Sequence, residues 1–244
     1  MKAVITAGAP IDGEFARLAR TSLKALAPVR GKTMLERTID ALRGAGVRRI
    51  AVVGNGDVQR TVSDRVEKMI DDRASGSGNV LAALDAWAED GEPLLYATCD
   101  MPYIRAEDIR TFLDRIPAHA LAMPLTEIED FRNRFPQAPP FGITLAGHTV
   151  VNGGIFHIPP GATQRIRSFA TALFDARKAP WKMARIAGPA LLVKFALKRL
   201  SIAELEARAR DVLGIDVAAV RGAAPELAFD ADLADEYRYA IEHE

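Results

Sequence analysis

Three short apolar runs separated by helical patterns, each run closing on glycine or an acid, predict an α/β fold. The expected form is a Rossmann-like three-layer α/β/α arrangement around a mostly parallel sheet, with a C-terminal helical insertion. The runs are Lys2 to Ala7, Ile50 to Val53 and Leu94 to Thr98. A strand, helix, strand, helix, strand rhythm favours right-handed crossovers, and such a sheet binds its ligand at the carboxyl ends of its strands. Gly8, Gly54 and Asp100 are therefore expected on one edge.

Lys2 to Ala7 reads as a buried strand that stops at Gly8, with a long loop after it. Thr33-Met-Leu-Glu36 is a capping box, and Leu35, Ile39 and Leu42 recur at helical spacing until Gly44 and Gly46. Ile50 to Val53 ends in Gly54-Asn55-Gly56, and Asp57 is placed to cap the next helix. Ala74 to Asn79 is a loop of small residues ahead of a short helix through Trp87. In the second half, Ala120 to Pro124 and Ile143 to Ile158 read as strands, the latter broken by Gly147 and by Asn152-Gly153-Gly154.

From about Thr163 to Leu213 the pattern is helical, punctuated by Pro180, Gly188-Pro189 and a second capping box at Ser201-Ile-Ala-Glu204. Val217 to Val220 and Leu227 to Phe229 suit late strands, and Leu233 to His243 a closing helix. With no repeat, low-complexity tract or linker, residues 1–244 are expected to form one domain carrying a helical insertion at about 163–213.

Composition narrows the function classes. Lys+Arg and Asp+Glu number 32 each, so no global field attracts a polyanion, and no nucleic-acid partner is expected. The apolar N-terminal stretch is too short for a signal peptide or a membrane span, which points to a cytoplasmic protein without stable membrane insertion. The one cysteine, Cys99, excludes an internal disulfide and a cysteine-rich zinc site, and suits core packing. His119, His148, His157 and His243 are scattered without a nucleophile motif, so each reads as a packing or surface residue.

Three features point to phosphate chemistry. The first is Gly8-Ala-Pro-Ile-Asp-Gly13 followed by Arg17, Arg20 and Lys24, where glycines let backbone N–H groups approach a polyphosphate and cations offset its charge. A plain surface turn with solvated basic residues explains the same pattern, whereas a dinucleotide fingerprint is disfavoured because Gly-x-Gly-x-x-Gly is absent. The second is Asp100, at a strand's carboxyl end, where a hard cation such as Mg²⁺ takes oxygen ligands or where the acid simply caps a turn. The third is Phe229-Asp-Ala-Asp232, two further acids that suit either a metal or the cap of the closing helix. Asp100 and Asp232 are expected to meet at one sheet edge as an unpaired, mutually repelling couple.

Taken in order, Ala7-Gly8, Ser22-Leu-Lys-Ala-Leu26, Gly31-Lys-Thr-Met-Leu-Glu36, Leu95-Tyr-Ala-Thr-Cys-Asp-Met-Pro102, Val151-Asn-Gly-Gly154 and Asp230-Ala-Asp-Leu-Ala-Asp235 resemble the MobA-like NTP transferase family. The resemblance implies a GT-A-like nucleotidyltransferase fold and Mg²⁺-dependent transfer of a nucleoside monophosphate from an NTP to a phosphorylated small-molecule acceptor, with release of pyrophosphate. It implies that Ala7, Gly8, Ala9 and Gly13 wrap the phosphates with Arg17 or Arg20, and that Lys24 neutralises charge there. Asp100 and Asp232 would hold the metal, with Asp230 as the substitute for Asp232. Asn79 would face the base, and Asn152 and Gly153 would border the acceptor. The chain departs from the family in its stretched first loop and in Leu23, where a proline usually precedes the lysine.

Lys182 and Arg185 share a helical face with Lys178, and Lys194 and Lys198 share another. These are either solvated faces or a basic cap over an anionic acceptor, with Lys182 and Arg185 as its contacts, or an amphipathic surface near a membrane. Two other functions fit the same fold class. A glycosyltransferase using a nucleotide-sugar would normally place Asp-x-Asp at a mid-chain strand end, where this chain has Asp100-Met-Pro102. A nucleotide-binding module without catalysis would not need Lys24, Asp100 and Asp232 together.

Overall fold

The computed structural model describes residues 1–73, 75–87, 91–139, 142–176, 186 and 188–243. Its strands, in chain order, are β1 (Lys2–Thr6), β2 (Pro28–Val29), β3 (Lys32–Thr33), β4 (Arg49–Gly54), β5 (Lys68–Asp71), β6 (Leu94–Thr98), β7 (Leu121–Glu127), β8 (Ile143–Leu145), β9 (His148–Asn152), β10 (Ile155–Ile158) and β11 (Val217–Arg221). The α-helices described are α1 (Gly13–Ala19), α2 (Met34–Gly44), α3 (Gly56–Val62), α4 (Gly76–Leu84), α5 (Ala106–Asp114), α6 (Ile128–Arg134), α7 (Thr163–Ala176), α8 (Pro189–Ala196), α9 (Ile202–Leu213) and α10 (Ala234–Glu242).

The main sheet runs β5-β4-β1-β6-β10-β7-β9-β8, with β11 on the other edge of β7. β5, β4, β1 and β6 are mutually parallel, and β1 lies between β4 and β6 in continuous register. That central placement accounts for the unbroken apolar run of β1, because a strand covered on both faces has no polar side to alternate. β10 is antiparallel to both β6 and β7, and β11 is parallel to β7. The sheet is thus mixed but mostly parallel, with helices on both faces, as the rhythm of the sequence predicts.

β9 and β10 lie end to end along one edge of β7, divided at Gly153-Gly154. The glycines are there for space. A Cβ on Gly153 would stand 2.6 Å from the Leu227 carbonyl oxygen, and one on Gly154 would collide with the Thr98 hydroxyl. The Gly154 carbonyl accepts from Thr98 N–H at 2.9 Å, which fixes this bend against the end of β6.

Two apolar layers flank the sheet. Ile5, Val52, Leu95 and Ala97 pack with Leu35, Ile39 and Leu42 of α2 and Ile109 and Phe112 of α5. Val4, Val53 and Leu94 pack on the other side with Ala82 and Ala83 of α4 and with Trp87. A third cluster gathers Phe15 of α1, Phe131, Phe135, Phe229 and Tyr237 of α10, with Phe15 stacked on Tyr237 at 4.7 Å between ring centroids. It ties the start of the chain to its end and so carries the C-terminal acids to the first loop.

Some local expectations change. The loop after β1 contains α1, because Phe15 and Ala19 recur at helical spacing and are buried. Leu227 to Phe229 is no strand: a 3-10 turn spans Pro225–Leu227, and Phe229 N–H donates to Pro225 O at 3.1 Å while its ring joins the aromatic cluster. Asn55 rather than Asp57 caps α3, its Oδ1 accepting from the N–H groups of Asp57 and Val58. Helices α7, α8 and α9 fall within the stretch expected to be helical, whereas Pro180, Lys178, Lys182 and Arg185 lie outside the described residues. Among the described residues no helix is long and apolar enough to cross a membrane.

Candidate active site

The carboxyl ends of β1 and β6 deliver Gly8 and Asp100 to one edge of the sheet, as parallel register requires. Lys24 reaches the same place by a backbone device. Pro10 and Leu23 form an isolated antiparallel bridge, Ile11 N–H donates to Ser22 O at 2.9 Å, and Lys24 N–H donates to Ala9 O at 3.0 Å. The longer first loop therefore folds back on itself through α1 and sets Lys24 beside Ala9. Lys24 opens a buried 3-10 turn, Lys24–Leu26, and is 8% exposed.

The C-terminal acids arrive through one further bond, Ala231 N–H to the Asp100 carbonyl at 2.9 Å. Asp232 does not cap the closing helix. Glu236 folds back to accept from Asp232 N–H and Leu233 N–H, both at 2.7 Å, which leaves the Asp232 carboxylate available. Nor is Asp100 consumed by a turn. Its Oδ2 accepts from Lys24 Nζ at 3.2 Å, and Lys24 Nζ also donates to Asp232 Oδ1.

The two carboxylates expected to repel as an unpaired couple thus have an ammonium between them. Burial alone would lower the Lys24 pKa, but the charges and hydrogen bonds of Asp100 and Asp232 outweigh it and raise it, so the side chain stays cationic. Among the described residues, Asp100 Oδ1 is the sole buried side-chain polar atom with no partner. A buried carboxylate oxygen left bare costs free energy unless a ligand completes it.

Two cavities meet at this cluster. One of about 720 Å³ is lined by Thr6, Gly8, Ala9, Asn79, Thr98 and Asp100, with Asp72, Arg73 and Ser75 opposite. The second, about 470 Å³, is lined by Gly13, Phe15, Lys24 and Asp232, and shares Ala9 and Pro10 with the first. Asn79 is buried, and its Oδ1 accepts from Arg73 N–H at 2.5 Å. Its Nδ2 lies where a side chain on Gly8 would collide, at 2.6 Å from an added Cβ, so Gly8 permits the first loop to close on α4, which starts at Gly76 and takes in Asn79 where a loop was expected. Tyr96 forms a wall of the larger cavity, its hydroxyl 2.9 Å from Thr6 Oγ1 and its pKa pushed up to about 12 by burial.

The structure therefore brings together Gly8, Ala9, Lys24, Asn79, Asp100 and Asp232. Ala7 is buried at the end of β1, and Gly13 lines only the smaller cavity. Arg17 and Arg20 are exposed on and just after α1 and line neither cavity. Gly153 is held in the bend beside β6, while Asn152 lines a separate apolar cavity. Thr6, Asp72, Arg73, Tyr96 and Thr98 are site residues that sequence reasoning missed. Asp71-Asp72-Arg73, placed directly before the small-residue loop, was the available signal.

Asp230 is exposed and lines neither cavity, but its carboxyl is pushed up to about 7, first by desolvation and then by the charges of Asp232, Asp100 and Glu236. A carboxyl raised in the folded state keeps a proton that the unfolded chain has lost between about pH 4 and pH 7, so stability falls as pH rises through that window. Asp230→Asn is expected to flatten this part of the pH dependence in thermal unfolding between pH 4 and pH 8. A slope equal to wild type would remove Asp230 as its source.

Comparison with known proteins agrees with this fold. A solved "hypothetical transferase" from Thermus thermophilus is 30% identical, covers 97% of this chain and 100% of its own, and superposes with a TM-score of 0.83. Bifunctional protein GlmU of Exiguobacterium sp. is 32% identical over 123 residues, 48% of this chain, and the chain spans only 27% of that relative's length. The fold is shared with Rv0371C of Mycobacterium tuberculosis H37Rv in complex with manganese, at 16% identity and a TM-score of 0.54 over 99% of this chain and 97% of that one. The model of the MobA-like NTP transferase domain matches residues 13–214, and the chain belongs to that family of nucleotidyltransferases.

Proposed function

We propose that this protein transfers a nucleoside monophosphate from an NTP to a phosphorylated small-molecule acceptor, releasing pyrophosphate, with Mg²⁺ as cofactor. The observation that carries the reading is the bare, buried Oδ1 of Asp100, set between two cavities beside a lysine that already bridges two carboxylates. The donor set suits Mg²⁺, which takes oxygen ligands and keeps several places for water and phosphate. Among the described residues no cluster of three or more His, Cys, Asp or Glu side chains could hold a metal by itself.

Asp100 and Asp232 would hold the cation, with Asp230 as the substitute for Asp232; when bound, the cation supplies charge neutralisation at the phosphates. The larger cavity takes the nucleoside, with Asn79, Arg73 and Ser75 beside the base. Backbone amides of Gly8 and Ala9, with Gly13 farther along, approach the triphosphate, and Arg17 or Arg20 stands beyond it. An acceptor phosphate oxygen attacks the α-phosphorus in line; the new P–O bond forms as the bond to the bridging oxygen breaks, and the electron pair leaves with pyrophosphate. No general base is required, because the acceptor phosphate is ionised near neutral pH. Lys24 Nζ offsets charge that grows on the phosphates, so catalysis is positioning and electrostatic stabilisation.

The test is pyrophosphate release from each of the four NTPs with Mg²⁺ and a panel of phosphorylated acceptors. One NTP and one acceptor class are expected to stand out. Tight NTP binding with no release on any acceptor would leave a nucleotide-binding module instead.

A further inference from the structure

The sheet face that walls the nucleotide cavity carries a second cavity of different chemistry. Tyr96 lies opposite Phe156 of β10, with their rings 6.0 Å apart. Leu121 of β7 packs in the same layer as Tyr96, and alternation along the strand puts Met123 and Leu125 on that face too. Asn152 pairs with Leu125 and follows it there.

Met123, Leu125 and Asn152 wall a cavity of about 320 Å³ that Ile202, Leu205 and Ala209 of α9 cover. Its volume lies at the lower end of the small-molecule range of roughly 300–1,000 Å³. The lining is apolar apart from Asn152 and Glu206. Glu206 is committed, its Oε1 accepting from Ala219 N–H at 2.7 Å. Asn152 is followed by the Gly153-Gly154 bend, whose carbonyl bonds Thr98 in the wall of the nucleotide cavity. Strand register puts Asn152 on the same sheet face as Tyr96 and Thr98, and the bend carries the chain from the wall of one cavity to the wall of the other.

We infer that this chamber is the subsite for an apolar group of the acceptor, which is therefore an amphipathic phosphate, a phosphate head joined to a hydrocarbon part. The inference rests on the transferase reading above for the place of the phosphate. It follows from fit: an apolar recess that a hydrocarbon fills removes water from both surfaces, at about 0.8 kcal/mol or about fourfold in affinity per methylene. A sugar phosphate would instead leave its hydroxyls facing walls that offer them almost no partners.

The test is calorimetric titration of ethyl, butyl, hexyl and octyl phosphate into the full chain with Mg²⁺, alongside pyrophosphate release with the same acceptors. Affinity and kcat/KM are expected to rise together, by roughly two-hundredfold from butyl to octyl phosphate at the cited gain per methylene. Ala209→Phe, which fills the chamber, should cut that gain to tenfold or less. Equal affinity across the series in wild type, which needs no variant, would overturn the subsite while leaving a demonstrated transfer reaction untouched. The full gain surviving in Ala209→Phe would place the chain elsewhere and overturn it too. A chain-length gain without pyrophosphate release from any NTP would keep the chamber but remove the acceptor as its occupant.

Discussion

Asp100→Asn is expected to lower turnover by about a thousandfold or more while the chain remains folded. An amide keeps an acceptor for Lys24 but gives up the charge that a divalent cation needs. Several kcal/mol of transition-state stabilisation then disappear, at about 1.4 kcal/mol per factor of ten. Stability should change little, because Lys24 retains Asp232 and the bare carboxylate oxygen is no longer charged. Steady-state pyrophosphate release and a thermal melt on the same sample measure both effects. Near-normal turnover would exclude Asp100 from the site.

Lys24→Ala is expected to do two things at once. It removes the cation from between two carboxylates of unequal exposure, 15% for Asp100 and 57% for Asp232. Breaking a fully buried pair costs about 3–5 kcal/mol, and the water reaching Asp232 brings the expected loss down to about 2–3 kcal/mol. The exposed repulsion then makes a divalent cation welcome without nucleotide. Millimolar Mg²⁺ should therefore raise the melting temperature of the variant by several degrees and that of the wild type by far less. NTP affinity should fall as well, since the side chain no longer offsets phosphate charge. A variant that melts like wild type and ignores Mg²⁺ would show that the ammonium does not hold the carboxylates together.

How much of this was legible in the sequence follows from where the signals lie. β1, β4 and β6 are buried on both faces, so each is an apolar run whose end marks the ligand edge, and Gly8 and Asp100 could be placed from that alone. Asp232 could be found but not decided, because an acid before a helix is as good a cap as a ligand; Glu236 takes the capping role and leaves the Asp232 carboxylate to Lys24, in a way that only coordinates reveal. Lys24 was legible as a cation near phosphate, not as a buried bridge, because the Pro10–Leu23 pairing that turns it inward has no sequence signature. The wall of the nucleotide cavity at Asp72 and Arg73 was missed because β5 is an edge strand of four residues, partly exposed and without alternation. Phe229 misled as strand because its apolarity serves ring packing. The basic residues Lys182 and Arg185 remain an expectation of the sequence alone.

The central claim is that Asp100 and Asp232 bind a divalent cation together with the nucleotide, Lys24 standing between them until then. The most direct measurement is the electron paramagnetic resonance signal of free Mn²⁺, titrated with protein in the presence and absence of the productive NTP, for wild type, Asp100→Asn and Asp232→Asn. Wild type should deplete free Mn²⁺ beyond the level set by the NTP alone only when protein and nucleotide are both present, and each variant should lose that extra depletion. Equal depletion by wild type and both variants would contradict the account.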